Sequence, residues 1–183
     1  GDWVRGLAKG DRAQLCGEVN TRVGSFLETW PPLEKRWKPM LETPIRVELA
    51  KGKVVLSGKV DLTLGSAGGN TAGKVIVDFK TGKFAPSHRD DLRFYALLDT
   101  IRVGVPPRLV ASYYLDQGEF SPETINTDVL ESTIARVSSG IVRLAELRLD
   151  MRPPTTQPGP PCRWCLISDS CDDGQEYLDE HSD

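Results

Sequence analysis

A chain of 183 residues, 39% of them hydrophobic, is long enough to bury one globular core and too short to expect two. Its net charge of −3 excludes a surface coated throughout for nucleic acid, so phosphate contacts must be local to basic clusters such as Lys35, Arg36, Lys38 or Lys80, Lys83, His88, Arg89, Arg93. There is neither a run of about 18 apolar residues nor a signal-peptide pattern, so the expectation is a soluble, cytoplasmic chain; the start at Gly1, Asp2, Trp3 suggests that an N-terminal segment is missing.

From Asp11 to about Trp30, Leu15, Val19, Val23, Phe26 and Leu27 recur at intervals of three and four, which predicts an amphipathic helix closed by Pro31 and Pro32. Leu33 to Trp37 reads as a short second helix. Ile45 to Ala50, Lys53 to Leu64 and Lys74 to Lys80 are β-branched and alternate or run apolar between glycines, the pattern of strands joined by turns. The glycine-rich stretch Gly65 to Gly73 ends one hairpin. After Asp90, the residues Leu92, Tyr95, Ala96, Leu98 and Val103 predict a helix ended by Gly104, Pro106 and Pro107, and Leu109 to Leu115 predicts a further strand. From about Thr127, Leu130, Ile134, Val137, Ile141 and Leu144 predict a long helix whose apolar stripe is core. The proline-rich stretch Arg152 to Pro161 ends that helix and delivers the chain, extended, to three clustered cysteines. The expected organisation is a single domain, 1–183, with a linker and cysteine region at 152–183.

Successive strand residues face opposite ways, so Asp78 and Lys80 share one face while Val75, Val77 and Phe79 share the other. A carboxylate closing an apolar strand is costly unless it is paired or binds a cation. The hairpin through Gly65 to Gly73 can set Asp61 beside Asp78, and two close carboxylates raise the pKa of one or recruit a divalent cation. Such a cation polarises a phosphate and lowers the pKa of bound water, with Lys80 orienting the water or stabilising charge. Spacing alone is equally compatible with a strand-end salt bridge between Asp78 and Lys80, capped by the turn at Thr81 and Gly82.

Read with its flanks, the pattern Gly58, Lys59, Val60, Asp61, then Asp78, Phe79, Lys80, Thr81, Gly82, then Asp91, Leu92, Arg93, Phe94, Tyr95 resembles the RecB-like branch of the PD-(D/E)XK nuclease superfamily. That branch carries a G-x-x-D strand, D-[YF]-K-T-G and a helix with Q-x-x-x-Y, and the resemblance runs from about Arg46 to the last cysteine. It implies an α/β fold with a restriction-endonuclease-like core, a central mixed β-sheet flanked by helices and a C-terminal cysteine-rich staple. It also implies that Asp61 and Asp78 bind Mg²⁺ or Mn²⁺, that the Phe79 carbonyl completes the shell, and that Lys80 serves the attacking water. Tyr95 matches the helix motif, whereas Asp91 stands where the family usually has Gln, which leaves open how that helix positions DNA. Glu48 is a further candidate acidic ligand, with a solvated strand charge as the alternative.

Cys162-x-x-Cys165 and Cys171, five residues further on, suit a tetrahedral thiolate site, for which zinc is the generic reading. Nucleases of the AddB type carry the same C-x-x-C-x(5)-C with a distant upstream cysteine, so the resemblance implies a [4Fe-4S] cluster instead. Cys16 is the candidate fourth ligand; the alternatives are that it is a buried structural cysteine, or that the fourth ligand precedes this chain.

The functional expectation is a metal-dependent deoxyribonuclease, an exonuclease on single strands or ends, acting on DNA in repair or recombination with a helicase or other subunit. The alternatives are a non-catalytic DNA-binding or scaffold domain of the same fold stapled by an iron-sulfur cluster, and a zinc-binding interaction module.

Overall fold

The computed structural model describes residues 2–68 and 72–181, so part of the Gly65 to Gly73 turn lies outside the described residues. The chain divides into two compact units, Gly1–Ser138 and Ser139–Asp183.

The first unit is built on a five-stranded sheet of order β1-β2-β3-β4-β5, with β1 at Met40–Leu49, β2 at Val54–Leu64, β3 at Val75–Lys80, β4 at Leu109–Tyr114 and β5 at Glu119–Thr124. All neighbouring pairs are antiparallel except β3 and β4, so the sheet is mixed as expected. A parallel pair needs a long crossover. Here the helix α3, Pro86–Val103, provides it; α1 and α2, at Asp2–Gly6 and Lys9–Thr29, precede the sheet. Alternation along the strands sends two sets of side chains to opposite faces. Ile45, Val47, Val60, Ile76 and Val110 pack with Leu92, Ala96 and Leu98 of α3. On the other face Leu62, Val77 and Tyr113 pack with Trp30 and with Phe26 from the end of α2. That second layer is aromatic: Trp30 meets Tyr113 edge-on at 4.8 Å and Phe79 at 5.2 Å between ring centroids.

Several elements differ from expectation. The helix α3 begins at Pro86, upstream of Asp90, because proline in the first turn gives up an N–H that has no intrahelical partner there. Leu33 to Trp37 yields only a 3₁₀ turn over Lys35–Trp37. β5 was not anticipated, since Pro122 interrupts its pattern; an edge strand tolerates that proline. The long helix is present as α4, Thr127–Arg148, but its stripe is packed only in part. Val129 and Leu130 pack against the α3 layer and Thr133 is buried, whereas Ile134 is 48% and Leu144 65% exposed. The stripe on α2 divides likewise: Phe26 is packed, while Val19, Val23 and Leu27 are exposed.

In the second unit the proline-rich stretch carries neither helix nor strand up to the 3₁₀ turn at Pro160–Trp164, which is followed by a second at Ser168–Ser170 and by the helix α5, Asp172–Glu180. The Tyr177 and His181 rings stack at 4.2 Å, and Arg163 donates to the His181 carbonyl. No helix among the described residues is long and apolar enough to cross a membrane.

Candidate active site

The β2–β3 ladder pairs Leu62 with Val77, Thr63 with Ile76 and Leu64 with Val75. Continued by one step, that register sets Asp61 opposite Asp78. Side-chain alternation along β2 breaks at this point, for Val60 packs under α3 while Leu62 faces the α2 layer. On the facing strand the ladder runs through Leu41 and Leu62, passes over Glu42 at φ 49°, and resumes at Thr43 and Val60. Departures from regular pairing beside a site re-aim side chains. Asp61 is turned so that its Oδ2 accepts a 2.8 Å hydrogen bond from the Phe79 backbone N–H.

Asp78 is only 5% exposed. The Lys80 ammonium lies 2.7 Å from its Oδ2 and 3.6 Å from Asp91 Oδ2. Despite that proximity, Asp78 Oδ2 is fully buried and accepts no hydrogen bond of good geometry among the described residues. Burial pushes the Asp78 carboxyl above its ordinary range; Lys80 opposes the shift, and Asp61 adds to it by its charge and by a hydrogen bond between the carboxyls. For Lys80, burial acts downward, but contact with Asp78, helped by Asp91 and Tyr95, outweighs it and holds the ammonium above its usual pKa. Lys80 is therefore a cation at neutral pH. Tyr95 is raised by burial and by the charges of Asp78 and Asp91, against the pull of Lys80, and so keeps its phenolic proton.

Tyr95 covers the site from α3. A Cβ at Gly58 would lie 2.6 Å from Tyr95 Cε1, so glycine is what lets the ring lie flat on β2. The turn after Lys80 has a second glycine requirement: Gly82 has φ 96°, and its N–H donates to Asp116 Oδ2 at 3.0 Å. Asp116 also binds Arg22 of α2 at 2.7 Å, which fixes the D-F-K-T-G turn to the helix on the far face. Sequence reading missed Asp116; the only signal was its position in a turn between two strands.

The structure thus brings together Asp61, Asp78, Lys80, Asp91 and Tyr95. Glu48 does not join them. It pairs across the ladder with Val55, six residues along β2 from Asp61, a separation of about 20 Å at strand rise. Its carboxylate binds Arg46 at 2.9 Å in solvent, as the charge on an exposed strand position would. Phe79 contributes its N–H to Asp61 and its ring to the aromatic layer. His88 is tied to the Tyr114 hydroxyl at 3.1 Å.

Cys16 is exposed on α2, not buried in the core. In the second unit the Cys171 and Cys162 sulfurs flank Gly174, where a Cβ would lie 3.4 and 3.7 Å from them, and the Gly159 N–H points at Cys162 Sγ at 3.4 Å. Cys165 is exposed. Among the described residues no three His, Cys, Asp or Glu side chains gather as a metal-binding group. A divalent cation between two carboxylates is a different case: the facing Asp61 and Asp78, with a buried oxygen lacking a directed donor, suit a hard cation.

No curated protein matches this chain. Among solved structures it is similar to a candidate exonuclease from Eubacterium rectale, at 13% identity and a TM-score of 0.51 over 91% of this chain. The chain spans 62% of that protein's length, and a likeness at this identity bears on fold alone. A second structure, of a protein called SSO0001, aligns at 17% identity with a TM-score of 0.47, covering 84% of this chain and 68% of the other. The sequence profile of the PD-(D/E)XK nuclease superfamily matches residues 5–172, a span that contains every strand, α3 and the converged acidic site. With mixed sheet, crossover helix and profile in agreement, the chain belongs to the PD-(D/E)XK nuclease superfamily.

Proposed function

We propose that the protein is a metal-dependent deoxyribonuclease that hydrolyses phosphodiester bonds, acting as an exonuclease on single strands or ends. The observation that carries this reading is the buried Asp78 carboxylate, raised in pKa, facing Asp61 and contacted by Lys80. A salt bridge alone would not account for a second carboxylate turned onto the first, because like charges in a buried site cost stability unless a cation offsets them.

Asp61 and Asp78 would hold Mg²⁺ or Mn²⁺, with the Phe79 carbonyl as a further ligand. When bound, such a cation polarises the scissile phosphate and lowers the pKa of a water molecule. The chain's own residues do the rest. The Phe79 N–H fixes one Asp61 oxygen. Lys80, protonated, orients the attacking water and neutralises charge developing on the phosphate. Tyr95, which keeps its phenolic proton, donates a hydrogen bond toward the phosphate. In cleavage of labelled DNA, Asp78→Ala and Lys80→Ala each abolish Mg²⁺- or Mn²⁺-dependent degradation; undiminished activity in either variant overturns the mechanism.

Asp91 favours one second reading, a DNA-binding or scaffold domain without catalysis, because its carboxylate draws on the same Lys80 that catalysis needs. DNA binding without divalent-metal binding, measured by calorimetry, would select it.

The repair or recombination setting, with a helicase or other subunit, is supported by the RecB-like motif order alone. Co-purification of a helicase with the tagged chain tests it. A [4Fe-4S] cluster or Zn²⁺ on Cys162, Cys165 and Cys171, with Cys16, is supported by the cysteine spacing and by the two sulfurs around Gly174. No step of the reaction depends on it. Iron and zinc analysis of anaerobically purified protein, with its visible absorption, decides between the two metals and neither.

A further inference from the structure

Beside the acidic site lies a pocket of about 540 Å³ whose lining includes Lys83, Phe84, Arg89, Tyr114 and Glu119. We propose that it seats one unpaired nucleotide of a DNA strand, its base stacked on Phe84 and its backbone phosphates held by Lys83 and Arg89. The proposal rests on the nuclease reading and narrows the substrate to a strand with single-stranded character next to the scissile bond.

Three observations converge on it. The first is placement: the parallel register sets Tyr114 directly beside Lys80 and on the same face of the sheet. Tyr114 is buried and lines the pocket, its ring 6.2 Å from Phe84 and its hydroxyl bonded to His88. The pocket and the acidic site therefore share a wall. The second is shape and chemistry: Phe84 is 53% exposed, and the Arg89 guanidinium sits over its ring, 5.6 Å from the centroid. An exposed aromatic ring combined with an arginine is how single strands are held without sequence preference. The volume falls in the range of small-ligand sites, enough for a nucleotide.

The third is charge. Nearby cations are occupied by carboxylates: Arg93 by Glu123, Lys80 by Asp78, Arg22 by Asp116 and Arg136 by Asp90. Among the described residues Lys83 and Arg89 form no salt bridge, Arg89 acting on Glu123 only through its charge, although both are exposed on a chain of net charge −3. Glu119 also lines the pocket and repels phosphate, which leaves Lys83 and Arg89 as the groups that hold the backbone. A duplex cannot use the seat, because paired bases already stack on both faces.

The test is the affinity of the full chain, in EDTA, for a fluorescein-labelled oligothymidylate and for a labelled hairpin duplex, read by anisotropy. Phe84→Ala is expected to weaken oligothymidylate binding about tenfold and to leave the duplex unchanged, while Phe84→Trp restores the parent affinity. Arg89→Ala is expected to lower the slope of log affinity against log salt by about one. Parent-like oligothymidylate binding by Phe84→Ala overturns the seat and leaves the nuclease reading intact, provided the parent cuts DNA with Mn²⁺. Equal losses on oligothymidylate and duplex overturn the single-strand assignment. A parent chain that neither binds nor cuts DNA brings down the nuclease reading, and the seat with it.

Discussion

Gly58 and Tyr95 show why two residues far apart in the chain belong to one motif. The ring lies where a Cβ on residue 58 would have to be, at 2.6 Å from Cε1. Gly58→Ala is expected to displace the ring and cost about 1–3 kcal/mol by overpacking. In a Tyr95→Ala background most of that cost should vanish, a coupling that a double-mutant cycle in urea measures directly. Asp91, 54% exposed in its side chain and 3.6 Å from the Lys80 ammonium, is a local source of negative charge at the site. Asp91→Gln is expected to tighten DNA binding several-fold at low salt, with the gain fading as salt screens the site. Unchanged affinity at low ionic strength would show that Asp91 does not face the nucleic acid. At this scale the sequence was most legible. The D-F-K-T-G segment names its own strand faces through alternation, and Gly82 names its own turn. Asp116, which fixes that turn, was not legible, because its partners Gly82 and Arg22 meet it only in three dimensions.

The elements were read well where a period repeated and poorly where tertiary context overrode it. Strands β2, β3 and β4 and helices α2 and α4 fall close to their predicted places, since alternation and three-four spacing need only local sequence. What periodicity could not tell is which part of an apolar stripe has a partner, so Val23, Leu27 and Ile134 are exposed on helices predicted to bury them. β5 escaped because Pro122 breaks its pattern and its pairing with β4 is a tertiary fact. That edge strand is held to α3 by Arg93, whose guanidinium meets the Glu123 carboxylate at 2.8 and 2.5 Å. The hydrogen bond from Arg93 lowers the Glu123 pKa against the opposing effect of burial. A depressed carboxylate stabilises the fold above its unfolded pKa and loses that contribution as pH falls through the folded one. Glu123→Gln is therefore expected to cost about 1–2 kcal/mol at pH 7. The difference from the parent should shrink below the ordinary glutamate value, about pH 4.3. Urea denaturation at pH 7 and pH 3 checks this, and a gap that persists at pH 3 would contradict it.

For the whole molecule, an acidic balance and a nuclease fold are reconciled by keeping cations local. Lys83 and Arg89, which form no salt bridge among the described residues, line the pocket proposed to seat the nucleotide. The fold class was legible because a short glycine-flanked acidic motif recurs in one superfamily, and the profile over residues 5–172 agrees. The division into Gly1–Ser138 and Ser139–Asp183 was not, since α4 runs through the boundary without a break in its period. The cysteine spacing suggested a closed metal site; of its sulfurs, those of Cys162 and Cys171 flank Gly174, a proximity that spacing along a chain does not itself give. The central claim, that Asp61 and Asp78 together hold a divalent cation, is tested most directly by titrating the full chain with Mn²⁺ and counting bound ions by electron paramagnetic resonance. The account predicts saturable binding that is lost in Asp78→Ala and in Asp61→Ala; binding that persists unchanged in both variants would contradict it.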